Sequence, residues 1–462
     1  MDHRFNQLVQ DLQQRRIDRR TFVVRAAALG LSGAAIVGGL RVAGVSAQDA
    51  TPAADASPAA GGKASDIGVS GATHITDTSK GKIKLYSSWP LSGASEQLGG
   101  DAAQAVRLAL EDFGNAAGGF ALEYEALDDG LAANNGAWDA GKEAENANKV
   151  INDPDAMVYM ATYNSGAAKI SIPILNAVEP GGMAMISYAN TYPGLTKAAK
   201  DVTEEGEPDK YYPSGKRNYM RTVPADDIQG SAAANWAYNT LGARKAYILH
   251  DNQLYGKGVA RVFELTFTQL GGEVLGFEGF DPNAPDYQAV MTSIADKAPD
   301  ILYLGAIVNL NASKLLQDMR SVMPVEDVAF LGPDGLINQA FVDGAGDAAE
   351  GAYITFAGFP PDELKGPGAD YATRMTEILG HKPDAYAVYA YECAVVVIQA
   401  LDKVQEKDRG KILDAMFATE GFSSLLGGSW SFTDTGDTDA TTMSLNVVKS
   451  GKITFQENIA KV

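Results

Sequence analysis

Covalent catalysis needs a base, a nucleophile or a set of metal ligands, and this chain of 462 residues offers few candidates for any of them. Its four histidines are His3, His74, His250 and His381, and its one cysteine is Cys393. None of the histidines has metal-ligand spacing, and neither an H-E-x-x-H helix nor a G-x-S-x-G elbow occurs. Cys393 stands in the apolar run Tyr391-Glu392-Cys393-Ala394-Val395-Val396-Val397, where a thiol reads as a small buried hydrophobe. Gly344-Ala345-Gly346-Asp347-Ala348-Ala349 follows the letters of a dinucleotide loop, but a strand comes next where that loop requires a helix. Asp434, Asp437 and Asp439 lack the spacing and terminal glutamate of a calcium loop and read as a solvated hairpin turn. An enzyme is disfavoured, and neither a cofactor nor a metal is implied.

What remains are polar groups placed to bind. Tyr163-Asn164-Ser165-Gly166 joins an apolar strand to a helix, so a hydroxyl and free helix-start amides face one point, which suits a carboxylate. Ser187-Tyr188-Ala189-Asn190-Thr191 ends the next strand with a second hydroxyl. Ordinary helix capping is the alternative reading of each loop taken alone. Further on, His250-Asp251-Asn252-Gln253-Leu254-Tyr255-Gly256-Lys257-Gly258 and Gly332-Pro333-Asp334-Gly335 also follow strands, and Asp334 is placed to accept a cation.

These loops need a scaffold of alternating strands and helices, and the pattern supplies one. Strands are expected at Ile83 to Tyr86, Leu122 to Leu127, Met157 to Met160 and Met183 to Ser187, with helices near 101–115, 138–151 and 166–176 between them. Residues 196–218 interrupt the rhythm with a charged insertion that reads as a surface loop. The alternation resumes after Arg221, with strands at 246–250, 274–280, 301–304, 329–331 and 353–356. It turns mainly helical beyond Pro360 and closes with strands near 445–448 and 453–456. Gly118-Gly119 and Gly271-Gly272 each end a helix, and each is followed nine residues on by an aspartate, Asp128 and Asp281. The echo points to two α/β lobes of similar build with parallel sheets.

The amino terminus is of another kind. Arg19-Arg20, followed by Thr21-Phe22-Val23-Val24 and the almost uncharged stretch Ala26 to Leu40, reads as a twin-arginine export signal. Cleavage after Val45-Ser46-Ala47 is expected; retention as an anchor is the alternative, against which the run is short of the ~20 residues that cross a bilayer. Loss of residues 1–47, with seven Arg and three Asp, would move the net charge from −20 to −24 and disfavour nucleic acid and anionic lipid. A lone cysteine, far from the cleavage point, excludes a disulfide framework and a lipoprotein anchor. Residues 48–80, rich in Ala, Pro, Ser, Thr and Gly, read as a flexible spacer in which His74 is solvated.

From about Ile83 to Val462 the chain resembles the periplasmic leucine/isoleucine/valine-binding family of ABC-transporter solute receptors, including its amide- and aromatic-acid-binding relatives. The matching stretches are Pro90-Leu91-Ser92-Gly93, Met185 through Thr191 to Pro193, His250-Asp251 with Tyr255-Gly256-x-Gly258, Gly332-Pro333-Asp334-Gly335, and Gly346 to Gly351. The resemblance implies a type 1 periplasmic binding fold, two Rossmann-like lobes joined by three crossings near Arg221, Phe359 and Phe432. It divides the chain into 81–220 with 360–432, and 221–359 with 433–462. It also implies a small-molecule ligand, an amino acid, amide or aromatic carboxylate, and a membrane permease as partner to a periplasmic or extracellular monomer. A sensory domain serving a separate signalling partner is the alternative. Ser165, the backbone of Ala189 and Thr191 would hold the ligand carboxylate. Asp334 would meet its ammonium, and Tyr255 and Tyr386 would be aromatic walls. Leu98 and Ile307 stand where amino-acid-binding members can have aromatic residues, and Asp334 is one methylene shorter than the usual glutamate. Trp89 offers either a replacement surface or a core tryptophan.

Overall fold

The computed structural model describes residues 62–459. The export signal expected over residues 1–47 and the first part of the spacer lie outside them.

Runs of apolar residues buried on both faces become central strands, and the helices between them cover the sheets. In the first sheet, β1 (Lys82–Trp89), β2 (Phe120–Asp128), β3 (Ala156–Ala161), β4 (Ala184–Ser187) and β5 (Tyr219–Arg221) run parallel in the order β2-β1-β3-β4-β5. In the second, β6 (Lys245–His250), β7 (Glu273–Gly279), β8 (Ile301–Gly305), β9 (Ala329–Gly332) and β10 (Tyr353–Phe356) repeat that arrangement as β7-β6-β8-β9-β10. Two antiparallel strands, β11 (Ser444–Lys449) and β12 (Lys452–Asn458), complete it. Every residue of β3 is buried, whereas β12, at the sheet edge, alternates between exposed and half-buried. In each sheet the first strand lies between the second and third, so a topological switch point falls at the carboxyl ends of β1 and β3, and again at β6 and β8. The repeated strand order is the structural form of the sequence echo.

The chain passes between the sheets after β5, after β10 and in the segment between Trp430 and β11. Helix α1 (Glu96–Asp112) belongs to the first lobe. Helix α2 (Ser165–Asn176) follows β3, and α3 (Asp226–Asn235) opens the second lobe. The long α4 (Ala387–Val404) returns to pack on α1. Cys393 is buried on α4 with its Sγ 3.4 Å from Thr222 Oγ1, and burial pushes its thiol up, away from the reactive thiolate.

Three expectations are corrected. Residues 62–80 are pinned to the first lobe: Gly68–Val69 pairs antiparallel with Phe422–Ser423, and Ala64 N donates to Asp370 Oδ2 at 2.9 Å. His74 is not solvated, since its ring nitrogens lie 2.8 and 2.9 Å from Asp402 Oδ2 and Phe113 O. Composition missed this strap because it is held by backbone amides and by carboxylates over 300 residues away in sequence. Residues 196–218 are a surface loop, with Lys200, Asp201 and 204–206 exposed, but one with a buried anchor: Glu207 accepts from Tyr192 Oη at 2.7 Å and Tyr211 Oη at 2.5 Å. The turn 434–439 is solvated only in part, for Asp437 is buried against Arg221.

Several acids fold in low-dielectric surroundings. Burial pushes Glu143, Asp251, Asp384 and Glu392 each up to about 7, so these groups are protonated in the fold at pH values where unfolded carboxyls, near about 4, have ionised. Between those values the native state binds more protons than the unfolded chain, and stability falls as the pH rises. His250 works in the opposite sense: burial lowers it to about 4, so its contribution is full above about 6.5 and is lost as the pH falls towards 4. With four acids against one histidine, the melting temperature at pH 5 is expected to exceed that at pH 8 by at least about 3 °C. An equal or higher value at pH 8 in a calorimetric scan would contradict the burial of these acids.

Candidate functional site

The carboxyl ends of the two sheets face each other across a narrow cavity of about 20 Å³, room for about one water molecule. From the first lobe its wall takes Tyr163, Asn164 and Ser165, which follow β3, and Ala189, which follows β4. The second lobe contributes Tyr255 after β6, Ile307 after β8 and Gly335 after β9, and Tyr386 enters from the turn before α4. Five of the nine residues singled out in the sequence, Ser165, Ala189, Tyr255, Ile307 and Tyr386, thus meet on one wall.

One end of the cavity is suited to an anion. Asn164 is the N-cap of α2 with extended backbone, φ −86° and ψ 130°, and its side chain makes no cap hydrogen bond. The amides of Ser165 and Gly166 open the helix and have no intrahelical acceptor, so they carry the positive end of the helix dipole. Ser165 Oγ accepts from Tyr192 N at 3.4 Å, which leaves its hydroxyl proton available to a ligand. A Cβ on Gly166 would stand 2.4 Å from Trp138 Cζ2, so glycine here lets the indole pack against the helix start. The expectation for Ala189 needs correction: its amide already donates to Ser187 Oγ at 3.1 Å, as Asn190 N does at 2.9 Å. The expectation for Thr191 is corrected too: it lies behind the wall, 1% exposed, with its carbonyl accepting from Asp226 N at 2.8 Å and its hydroxyl unpartnered among the described residues.

The other end is built around Asp334, which is 1% exposed and stands behind the tyrosines. Tyr255 Oη donates to its Oδ1 and Tyr386 Oη to its Oδ2. Gly335 N donates to Oδ1 at 3.1 Å. With its amide nitrogen turned towards the acids, Gln229 donates to Asp334 Oδ1 at 2.9 Å and to Asp226 Oδ1 at 3.2 Å. Burial raises Asp334, with these donors opposing the rise. Asp226 is raised by burial and then by the charge of Asp334, and its Oδ2 has no partner among the described residues. The pair Asp226 and Gln229 was not singled out in the sequence. The signal was their i, i+3 spacing in the first turn of the helix that opens the second lobe, which puts both on one face.

Aromatic rings fill the space between. Tyr163 and Tyr386 meet edge to face at 5.9 Å, and Tyr188 lies 6.3 Å from Tyr386 and 6.2 Å from Tyr163. Trp89 packs behind Tyr188 at 4.8 Å and donates its indole N–H to Gly99 O at 2.9 Å. It is 1% exposed and is the core tryptophan of the two alternatives, not a cavity surface. Leu98, 7% exposed in the first turn of α1, also stands off the wall. Among the described residues no group of three or more His, Cys, Asp or Glu is placed to hold a metal ion. The arrangement presents helix-start donors for an anion at one end and aromatic rings beside them.

A family model described as periplasmic binding protein matches residues 82–452. The leucine-, isoleucine-, valine-, threonine- and alanine-binding protein of Pseudomonas aeruginosa is 25% identical over 339 residues, 73% of this chain and 82% of the relative. A Leu/Ile/Val-binding protein of Rhizobium johnstonii is 26% identical over 369 residues, covering 80% and 92% of the two chains. Among solved structures, a leucine-binding protein of Thermotoga maritima superposes with a TM-score of 0.70 at 22% identity, covering 82% of this chain and 99% of its own. An ABC-transporter solute-binding protein of R. palustris in complex with benzoate does so with 0.67 at 21% identity, covering 82% and 96%.

Proposed function

This chain belongs to the periplasmic binding protein family, and on that premise we propose that it is the solute-binding component of an ABC importer, working outside the cytoplasm. It takes a small amino acid or a related carboxylate or amide between its lobes and delivers it to a membrane permease. The single observation that carries this reading is that polar and aromatic groups from the strand ends of both lobes line one small cavity with an open helix start at its rim. Relatives named for branched-chain amino acids and a neighbour solved with benzoate support the same solute classes.

The mechanism is capture by closure. A solute that touches Ser165 on one lobe and Tyr255 on the other binds the closed arrangement better than the open one, and its differential affinity shifts the population towards closure. The permease then reads the closed form. The twin-arginine motif at Arg19-Arg20 would bring the folded protein out of the cytoplasm.

The test is a thermal-shift screen of the full chain, unfolded and refolded first to strip carried solute. Branched-chain amino acids, short amides, urea and aromatic carboxylates would be added singly. A solute at ~1,000 times its dissociation constant is expected to add about 4 kcal/mol of stability. Absence of a shift with all of these classes would remove the reading.

A further inference from the structure

We infer that the solute of this receptor is a small carboxylate that carries no ammonium group; this narrows the substrate class of the site above and rests on the solute-binding reading. The acidic residue that the family resemblance assigns to a ligand ammonium is engaged inside the protein. A carboxylate offers about four lone-pair positions. Asp334 meets four donors, unevenly placed: the Tyr255 hydroxyl, the Gly335 amide and the Gln229 side chain on Oδ1, and the Tyr386 hydroxyl on Oδ2, which keeps one position open behind the tyrosine. Tyr255 and Tyr386 are themselves cavity wall, so the cavity meets their rings where an exposed acid would otherwise stand.

The cavity wall itself carries no charged side chain. An ammonium entering it would meet only neutral acceptors, the Asn164 amide oxygen and the tyrosine hydroxyl oxygens, and would gain a counter-charge only by displacing a tyrosine hydroxyl from Asp334, which is costly. The opposite end attracts an anion through the start of α2 and the Ser165 hydroxyl, so the carboxylate half of the solute is provided for. Between the ends stand Ile307 and the rings of Tyr163 and Tyr386, which suit an apolar or aromatic body.

Matched solutes test this by calorimetry on the full, refolded chain: leucine against 4-methylpentanoate, phenylalanine against 3-phenylpropanoate, with benzoate alongside and 3-methylbutylamine as the ammonium without the acid. Each deaminated acid is expected to bind at least about tenfold more tightly than its amino-acid twin, the scale of one lost or displaced polar contact. Tighter binding of leucine or phenylalanine than of its twin, or binding of the amine, would overturn the inference while leaving the receptor reading in place. Binding of amides alone would do the same. A flat response to acids, amino acids and amides together would remove the receptor reading, and the inference with it. A second measurement addresses the cause. Tyr255→Phe with Tyr386→Phe frees Asp334 of both hydroxyls and is expected to move the preference at least about tenfold towards the amino acid. An unchanged ratio in the folded double variant would overturn the tyrosine account. Should that variant fail to fold, Tyr255→Phe alone reads the same ratio, and the wild-type pairs still decide.

Discussion

Asp437→Ala is expected to cost about 3–5 kcal/mol of folding stability, because it strands a buried guanidinium. Arg221 is fully buried at the end of β5, where the chain first leaves the first lobe. Its Nε donates to Asp437 Oδ1 at 2.7 Å, and its Nη1 donates to the carbonyls of Asn190 and Tyr192 at 3.0 and 2.9 Å. Asp437 belongs to the third crossing, and Arg221 N also donates to Gly436 O at 3.0 Å, so one ion pair and one backbone bond join two of the three hinge segments. The pair is linked to pH as well. Despite burial, the charges of Arg221 and Lys197 hold the Asp437 carboxyl down at about 2. Its contribution is therefore complete above the unfolded value of about 3.9 and is lost as the pH falls towards 2. Urea unfolding of wild type and variant at pH 7 measures the cost. A difference below about 1 kcal/mol, the worth of an exposed pair, would show that the charge is compensated by solvent. Asp437→Asn, which keeps the shape and an acceptor, should lose less than Asp437→Ala.

The largest effect on binding is expected from Ser165→Ala. The change removes a hydroxyl from the anion end, and a hydrogen bond to a charged group contributes about 1.5–3 kcal/mol. Affinity for a carboxylate solute should fall by at least about tenfold, while an uncharged amide of the same shape should lose much less. Titration calorimetry with the best acid from the screen reads this directly. Retained affinity would move the carboxylate away from the start of α2. Thr191 takes no part in this, since it is off the cavity wall and its carbonyl accepts from Asp226 N at 2.8 Å.

Much of the scaffold is visible in local pattern. Strands such as Met157 to Met160 and Ile301 to Leu304 lie within observed β3 and β8, because a continuous apolar run in a central parallel strand survives any detail of packing. Loops after those strands are legible for the same reason: the fold puts the carboxyl ends of parallel strands at the crevice, so Ser165 and Tyr255 could be placed before any contact was known. Errors cluster where a short polar segment is held by distant partners. His74 reads as solvated from its neighbours, yet Asp402 that holds it is 328 residues away. Asp437 reads as a turn residue, yet Arg221 lies 216 residues before it. Trp89 carries both readings at once, and only the position of Tyr188 in front of it makes it core.

The sequence by itself determined the order of strands and helices, the two-lobed plan and the strand-end loops that carry polar groups, since hydrophobic period, glycine stops and loop composition are properties of contiguous residues. Only the tertiary structure decided the state of the acid at the heart of the site. Tyr255 and Tyr386 stand 79 and 52 residues from Asp334 in the chain, and nothing local to any of the three says that both hydroxyls end on one carboxylate. Whether a buried charge faces a ligand or is quenched by its own protein depends on side-chain geometry across lobes that the chain assembles only when it folds.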